Sequence, residues 1–347
     1  MKKEHRILFV FVACAVFLLG GAVSSLAKKT IDLKFSYWTP PHALPAKAGF
    51  EPWAKAIEEK SNGKVKITFY PAEALGHAPD HYPMVLKGVA DIVWIDPNHT
   101  PGVFPLADIM SAPFLFPNSE ICSTVMWRIY KKYLFDSTFN KVKVLFVFNV
   151  GLNEFHSTKS VKSMEDFKGL KVASDSKMHS NIYKALGASP VFMNMPDIYT
   201  GLERGMIDGR FQNWEGAFVW KIAEVTKYRM RNLKINTMPN VVMMNLDKWN
   251  SLPEDVKTLI ESESGEKISR QIGIAFDKVE AEYEKSILEN DKKLNNPPAY
   301  TSTDEDRQKM IKAVQPVIDK WVKKNEKKGY PAKAMLDDIR NMVKDFK

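Results

Sequence analysis

His77 and His81 stand four residues apart with Asp80 between them, a spacing that on one helix face could grip a metal ion. Pro79 and Pro83 interrupt that segment and no third ligand follows, so the pair does not amount to a metal site. The carboxylate pairs Glu261/Glu263 and Asp337/Asp338 could exchange protons, but both lie in stretches patterned as exposed helices, where solvation accounts for them. The phosphate-binding loop, the dinucleotide fingerprint, the nucleophile elbow, H-E-x-x-H and C-x-x-C are all absent. The seven histidines show no nucleophile–base pattern. An enzyme would have to assemble its groups from distant segments, and nothing local calls for a cofactor.

Charge does not supply a function either. The formal net charge is +9, with 50 Lys and Arg against 41 Asp and Glu. The basic residues are scattered, and the densest run, 320–328, has little aromatic interleaving. It reads as a solvated helix face and not as a nucleic-acid surface. Residues 1–27 explain part of the excess. Lys2, Lys3 and Arg6 precede an apolar run at 7–19, and small residues close the stretch at Ala27. That is the layout of a cleaved secretory signal peptide. Its core of about 13 to 17 apolar residues falls short of the roughly 20 that span a bilayer. Cys14 sits inside that core, too early for lipid attachment, and beyond it Cys122 stands alone, so no internal disulfide forms.

The elements that must position any site alternate. Strand patterns at 31–37, 65–70 and 91–95 are separated by helical patterns at 50–60 and 84–87. A second series follows, with strands at 142–150, 155–158, 169–173, 191–195 and 206–209, helices at 180–186 and 198–204, and a further strand at 241–245. This order predicts two α/β units with mainly parallel sheets. Ser251 and Glu254 have capping-box spacing, and a helical pattern runs from there to about residue 294, roughly 60 Å if unbroken. A helix of that length would lie across both units. The stretches 304–323 and 332–346 are amphipathic terminal helices.

Ten short segments in order then point to a family. They include Phe35-Ser36-Tyr37-Trp38-Thr39-Pro40-Pro41, Tyr70-Pro71-Ala72-Glu73-Ala74-Leu75-Gly76, Ala112-Pro113-Phe114-Leu115-Phe116, Gly169-Leu170-Lys171-Val172, Tyr199-Thr200-Gly201-Leu202 and Leu252-Pro253-Glu254. Across the whole chain beyond the leader, the sequence resembles the periplasmic substrate-binding subunit of TRAP (tripartite ATP-independent periplasmic) transporters, the DctP type. The resemblance implies an α/β, two-lobed periplasmic-binding-protein fold, type II-like, with a long helix spanning both lobes. Lobe I would hold residues 28–150 plus about 240–280, and lobe II 151–239 plus about 281–347. It implies a monomer with a small organic ligand in the interlobe cleft, hinge closure near Val150-Gly151 and Asn240-Val241, and delivery to the small and large membrane subunits of a sodium-driven permease. No catalysis, cofactor, metal or nucleic acid is implied. Docking on an ABC permease or a sensor kinase is the neighbouring alternative, and an exported enzyme on a similar scaffold is the alternative of another class.

The same resemblance carries ligand contacts over to Trp38, His77, Trp94 and Asp96 in the first lobe, and to Asn153, Ser174, Asp175, Met195, Gln212 and Trp214 in the second. The family arginine that pairs with a ligand carboxylate is replaced by Ala173, and Arg210 lies two residues from the position matched by Gln212. Alanine cannot stand in for a guanidinium fork. Two ligand classes follow. Trp38, Trp94 and Trp214 with Asp96 and Asp175 would suit a cation or a neutral aromatic or polyhydroxylated molecule. Asn153, Gln212, Ser174, His77 and backbone N–H groups, or Arg210 turned inward, would suit a carboxylate.

Overall fold

The computed structural model describes residues 30–100 and 102–346, so the leader read at 1–27 lies outside it. Ile31, Leu33 and Phe35 alternate with Asp32 and Lys34, which makes β1 (Ile31–Ser36) an element with one face for the core. Ten strands follow: β2 (Val65–Tyr70), β3 (Ile92–Ile95), β4 (Val142–Asn149), β5 (Glu154–Ser157), β6 (Lys171–Ser174), β7 (Ser189–Phe192), β8 (Gly209–Gln212), β9 (Tyr228–Arg231), β10 (Pro239–Asn245) and β11 (Tyr300–Thr301). They form a five-stranded sheet of order β2-β1-β3-β10-β4 and a six-stranded sheet of order β11-β9-β5-β8-β6-β7. Both are mainly parallel, as the alternation predicts. The exception in each is the strand that enters from the other sheet: β10 runs against β3 and β4, and β5 against β8 and β9.

The helices are α1 (Glu51–Lys60), α2 (His81–Leu86), α3 (Ser119–Tyr133), α4 (Lys177–Ala185), α5 (Ile198–Glu203), α6 (Trp214–Val219), α7 (Ile222–Val225), α8 (Leu246–Ser251), α9 (Glu254–Glu263), α10 (Glu266–Lys293), α11 (Asp304–Glu326) and α12 (Ala332–Lys344). One face of the first sheet is packed with rings, Phe35 on Phe50 at 4.9 Å and Trp94 on Phe148 at 5.5 Å. In the second sheet Phe155, Phe167, Phe211 and Tyr183 stack together. α12 returns to lie on α3, which itself covers β4.

Two segments cross between the sheets side by side, residues 150–153 and 232–238. The N–H of Asn153 donates to the carbonyl of Asn236 (2.8 Å), Ile235 N–H donates back to Asn153 (3.1 Å), and Thr237 Oγ1 donates to the Gly151 carbonyl (2.6 Å). The first crossing is where the sequence places it. The second is not at Asn240-Val241, because those residues already pair with Phe148 and Val147 inside β10.

Two further expectations are corrected. The long helical pattern is two helices, α9 and α10, separated where Gly265 takes φ +78° and donates its N–H to Leu145. The 28 residues of α10 span about 42 Å. Ser251 is not an N-cap. It ends α8, its hydroxyl donates to the Lys248 carbonyl, and α9 starts after Pro253 without a side-chain cap. A reciprocal capping box does exist, at Thr303 and Asp306.

Candidate functional site

Both sheets send their strand ends toward one cleft. Trp38 follows β1, and Asp96 follows β3. Trp38 lies 4.8 Å from Trp94 and 6.1 Å from Trp220, the latter pair nearly parallel at 21°. Trp220 closes α6 in the second lobe, so the two indoles meet from opposite sides. They border a cavity of about 720 Å³ whose other walls include His77 and His99 from the first lobe and Met195 from the second.

Trp38 and His99, which line this cavity, each carry a buried polar atom without a partner. Trp38 Nε1, Thr39 Oγ1, Asp96 Oδ2, His99 Nδ1 and Asn236 Nδ2 are all buried and unbonded. Such atoms are costly unless something arrives to satisfy them.

Behind them lies a charged group from the second lobe. Asp175 accepts from Arg210 Nη2 (2.7 Å) and bonds His179 Nδ1 (2.8 Å). Burial opposes its ionisation, but Arg210 and then His179 overcome this and hold its carboxyl well below the usual range. Arg210 Nε donates to Gln212 Oε1 at 2.8 Å, so the hydrogen bonds of this guanidinium use Nε and Nη2. Arg210 stands in register with Ala173 across β8 and β6. Direct partners in a sheet share a face. A guanidinium therefore stands beside Ala173, on the neighbouring strand.

Asp96 has a different environment. Its Oδ1 accepts from Asn98 N–H (2.8 Å), while Oδ2 is 4.0 Å from His99 Nε2. Burial, then the charge of Asp175, pushes its carboxyl up to about 7. Burial lowers His99.

The remaining residues named from the sequence separate into groups. Met195 is a wall. His77 is exposed at the rim and bonds Glu73 (2.9 Å), which raises it. His81 turns the other way, buried against the Trp94 carbonyl (3.0 Å), so the two histidines do not converge. Among the described residues no three His, Cys, Asp or Glu side chains are placed to hold a metal. Trp94 lies beneath Trp38 with its Nε1 donating to Asn240 (2.7 Å). Asn153 donates to Asn236 (2.9 Å) in the crossing, and Ser174 bonds Ser180 (2.8 Å). Trp214 packs edge-on to His156 in the second-lobe interior and is not among the cavity walls. Sequence reading missed Trp220, His99 and His179. The two histidines had a signal, since they follow Asp96 and Asp175 at i+3 and i+4; Trp220 had none beyond its type.

Residues 35–325 match the family described as Bacterial extracellular solute-binding protein, family 7 (DctP). The 2,3-diketo-L-gulonate-binding periplasmic protein YiaO of Escherichia coli is 26% identical over 339 residues, 95% of this chain and 98% of that one. A TRAP solute-binding protein from Rhodoferax ferrireducens, solved with copurified benzoate, superposes with a TM-score of 0.85 at 26% identity, covering 90% of this chain and 98% of that one. A marine metagenome TRAP solute-binding protein specific for aromatic acid ligands, solved with metahydroxyphenylacetate, gives 0.85 at 26% identity over 91% and 99%.

Proposed function

Because this chain belongs to bacterial extracellular solute-binding protein family 7, we propose that its cleft receives an aromatic carboxylate for a TRAP permease. It is a solute-binding protein of the TRAP type, a receptor for a small organic molecule and not a member of an enzyme family. The observation that carries the ligand class is the pair Trp38 and Trp220, drawn from opposite lobes onto one cavity that His99 also lines, with Trp38 Nε1 and His99 Nδ1 buried and unbonded. An aromatic ring would contact both indoles, and its carboxylate would meet Arg210 Nη1, His99 and the Trp38 Nε1–H.

The cationic alternative loses its anions. Asp175 is already paired with Arg210 and His179, and Asp96 is held toward its neutral form. The benzoate and aromatic-acid relatives support the same direction. Export by cleavage after Ala27, action as a monomer, docking on a small and a large membrane subunit, and absence of catalysis belong to the same proposal. The lobes, one on each sheet, would close about the paired crossings at 150–153 and 232–238.

A thermal-shift series tests it. Benzoate and 3-hydroxybenzoate should raise Tm in a concentration-dependent way, since ligand binding stabilises by RT ln(1 + [L]/Kd). Benzylamine and succinate should not. Stabilisation by benzylamine above that by benzoate would end the carboxylate reading.

A further inference from the structure

The densest basic run of the sequence borders a second cavity. Its volume is about 420 Å³, and α11 shares it with α4. Positions 316, 317, 320, 321 and 324 of α11 and 177, 178, 181, 184 and 185 of α4 supply the walls, each set one face of its helix. Met178, Val317 and the ring of Trp321 give it apolar surface, and Lys177, Lys184, Lys320 and Lys324, all exposed, surround them. A smaller cavity of about 190 Å³ has Asp108, Lys177, Met178 and Lys324 in common with it and adds Lys328, so the two make one groove. The groove has no wall residue in common with the cavity between Trp38 and Trp220.

The lysines of the larger cavity outnumber its acids. Asp108 is the one carboxylate among those walls, and its Oδ1 accepts from Trp321 Nε1 (2.8 Å). That bond also satisfies the indole N–H and leaves the ring as apolar wall. Among the described residues none of the four lysines forms an ion pair, whereas Lys309 on the same helix pairs with Glu305 (3.0 Å) and Lys333 on α12 with Asp337 (2.7 Å). Local electrostatics oppose this arrangement twice. Lys320 and Lys324 are like charges at i,i+4, which destabilises a helix. Lys177 is the first residue of α4, where the helix dipole disfavours a cation. An anion in the groove relieves both.

We propose that this groove is a second binding site, for a small amphipathic anion whose apolar body lies against Trp321, Met178 and Val317 and whose oxyanion head lies among the lysines. A cavity of this volume falls within the range of small-ligand sites, about 300–1,000 Å³. Apolar walls alone would hold a neutral body, and lysines alone a bare ion. The two together match a molecule that has both parts, and the stems of the lysines extend the apolar contact. The proposal is independent of which solute the interlobe cleft takes.

The test is calorimetric titration with octyl sulfate at about 0.15 M salt, where a Debye length of about 8 Å screens loose attraction to the net charge. Octyl sulfate should bind at one site per chain, about tenfold or more tighter than inorganic sulfate or octyl glucoside, each of which has only one of the two parts. Lys184→Gln combined with Lys320→Gln removes two exposed charges without a protein partner, so Tm should hold while affinity falls about tenfold or more. Lys66→Gln combined with Lys87→Gln removes the same charge from exposed positions outside the groove and should change affinity by less than about twofold. Trp220→Ala alters the cleft and should also leave octyl sulfate binding within about twofold. Octyl glucoside or inorganic sulfate binding as tightly as octyl sulfate would overturn the proposal. So would an unchanged affinity in the Lys184/Lys320 variant, or the absence of saturable octyl sulfate binding below about 1 mM. Loss of binding in Trp220→Ala would place the anion in the cleft and overturn it as well.

Discussion

Asp277 and Glu280, one turn apart on α10, cap helices that belong to different sheets. Asp277 accepts from Ser119 N–H (2.8 Å) and Glu120 N–H (2.9 Å) at the start of α3. Glu280 accepts from Trp214 N–H (2.7 Å) and Glu215 N–H (3.0 Å) at the start of α6. Each meets backbone donors that have no intrahelical partner. A single turn of the long helix thus ties both lobes. Gly273, whose Cβ would fall 2.5 Å from the Ser119 carbonyl, lets α10 come that close to α3. Asp277→Ala should cost about 1–2 kcal/mol by loss of the cap, measured by urea unfolding, with benzoate affinity little changed.

Stability should decline as pH rises from mildly acid to mildly alkaline. Burial pushes Glu154 and Glu280 up to about 8. Between the unfolded value near 4.3 and that folded value, the folded chain holds more protons, so raising pH favours unfolding. Asp175, held low, contributes the opposite slope at acid pH: its stabilisation is present above about 3.9 and is lost below it. Tm scanned from pH 4.5 to 8.5 should show a maximum on the acid side, and Glu280→Gln should flatten the fall.

The tryptophans should divide by role. Trp220→Ala and Trp38→Ala should weaken benzoate binding about 10- to 100-fold, as buried aromatic anchors do. Trp214→Phe should leave affinity within about twofold, because that ring is in the second-lobe interior. Titration followed by calorimetry distinguishes these outcomes.

Arg210→Ala leaves Asp175 with His179 alone inside the protein. Breaking a buried pair from one side costs about 3–5 kcal/mol. The double variant Arg210→Met, Asp175→Asn should recover much of that stability while benzoate binding stays lost, since no guanidinium remains for the carboxylate. Denaturant melts and benzoate titrations on the wild type and the two variants check both outcomes.

Gly151 has φ +96°, and a Cβ there would meet Asn213 Cβ at 2.9 Å and Glu280 Oε1 at 3.0 Å. Gly151→Ala should lower Tm and shift the lobes apart. Small-angle scattering with saturating benzoate should show a smaller radius of gyration for the wild type and less compaction for the variant. An equal radius with and without benzoate in the wild type would argue against closure.

Local pattern was enough for much of this. Strand alternation and helix periodicity placed β1, β2 and α11, because each has one face to bury and the period of its apolar residues records which, while β4 was legible as an apolar run with both faces buried. Gly151 was legible as a point of freedom, and the family was legible from segments in order. The extent of the long helix was not, because a helical period continues across Gly265 although the backbone turns there. The site was read only in part. Trp38, His77 and Met195 reach the cavity, but Trp94 and Trp214, carried over from the family resemblance, are not among its walls. Arg210 shows the limit most clearly. In sequence it is 37 residues from Ala173, and nothing in the spacing links them; the register of β8 on β6 puts them side by side. Sequence fixes which face a side chain takes within its own strand. Which side chain stands next to it, and which of two carboxylates receives the cations, is decided by strands that meet only after the chain has folded.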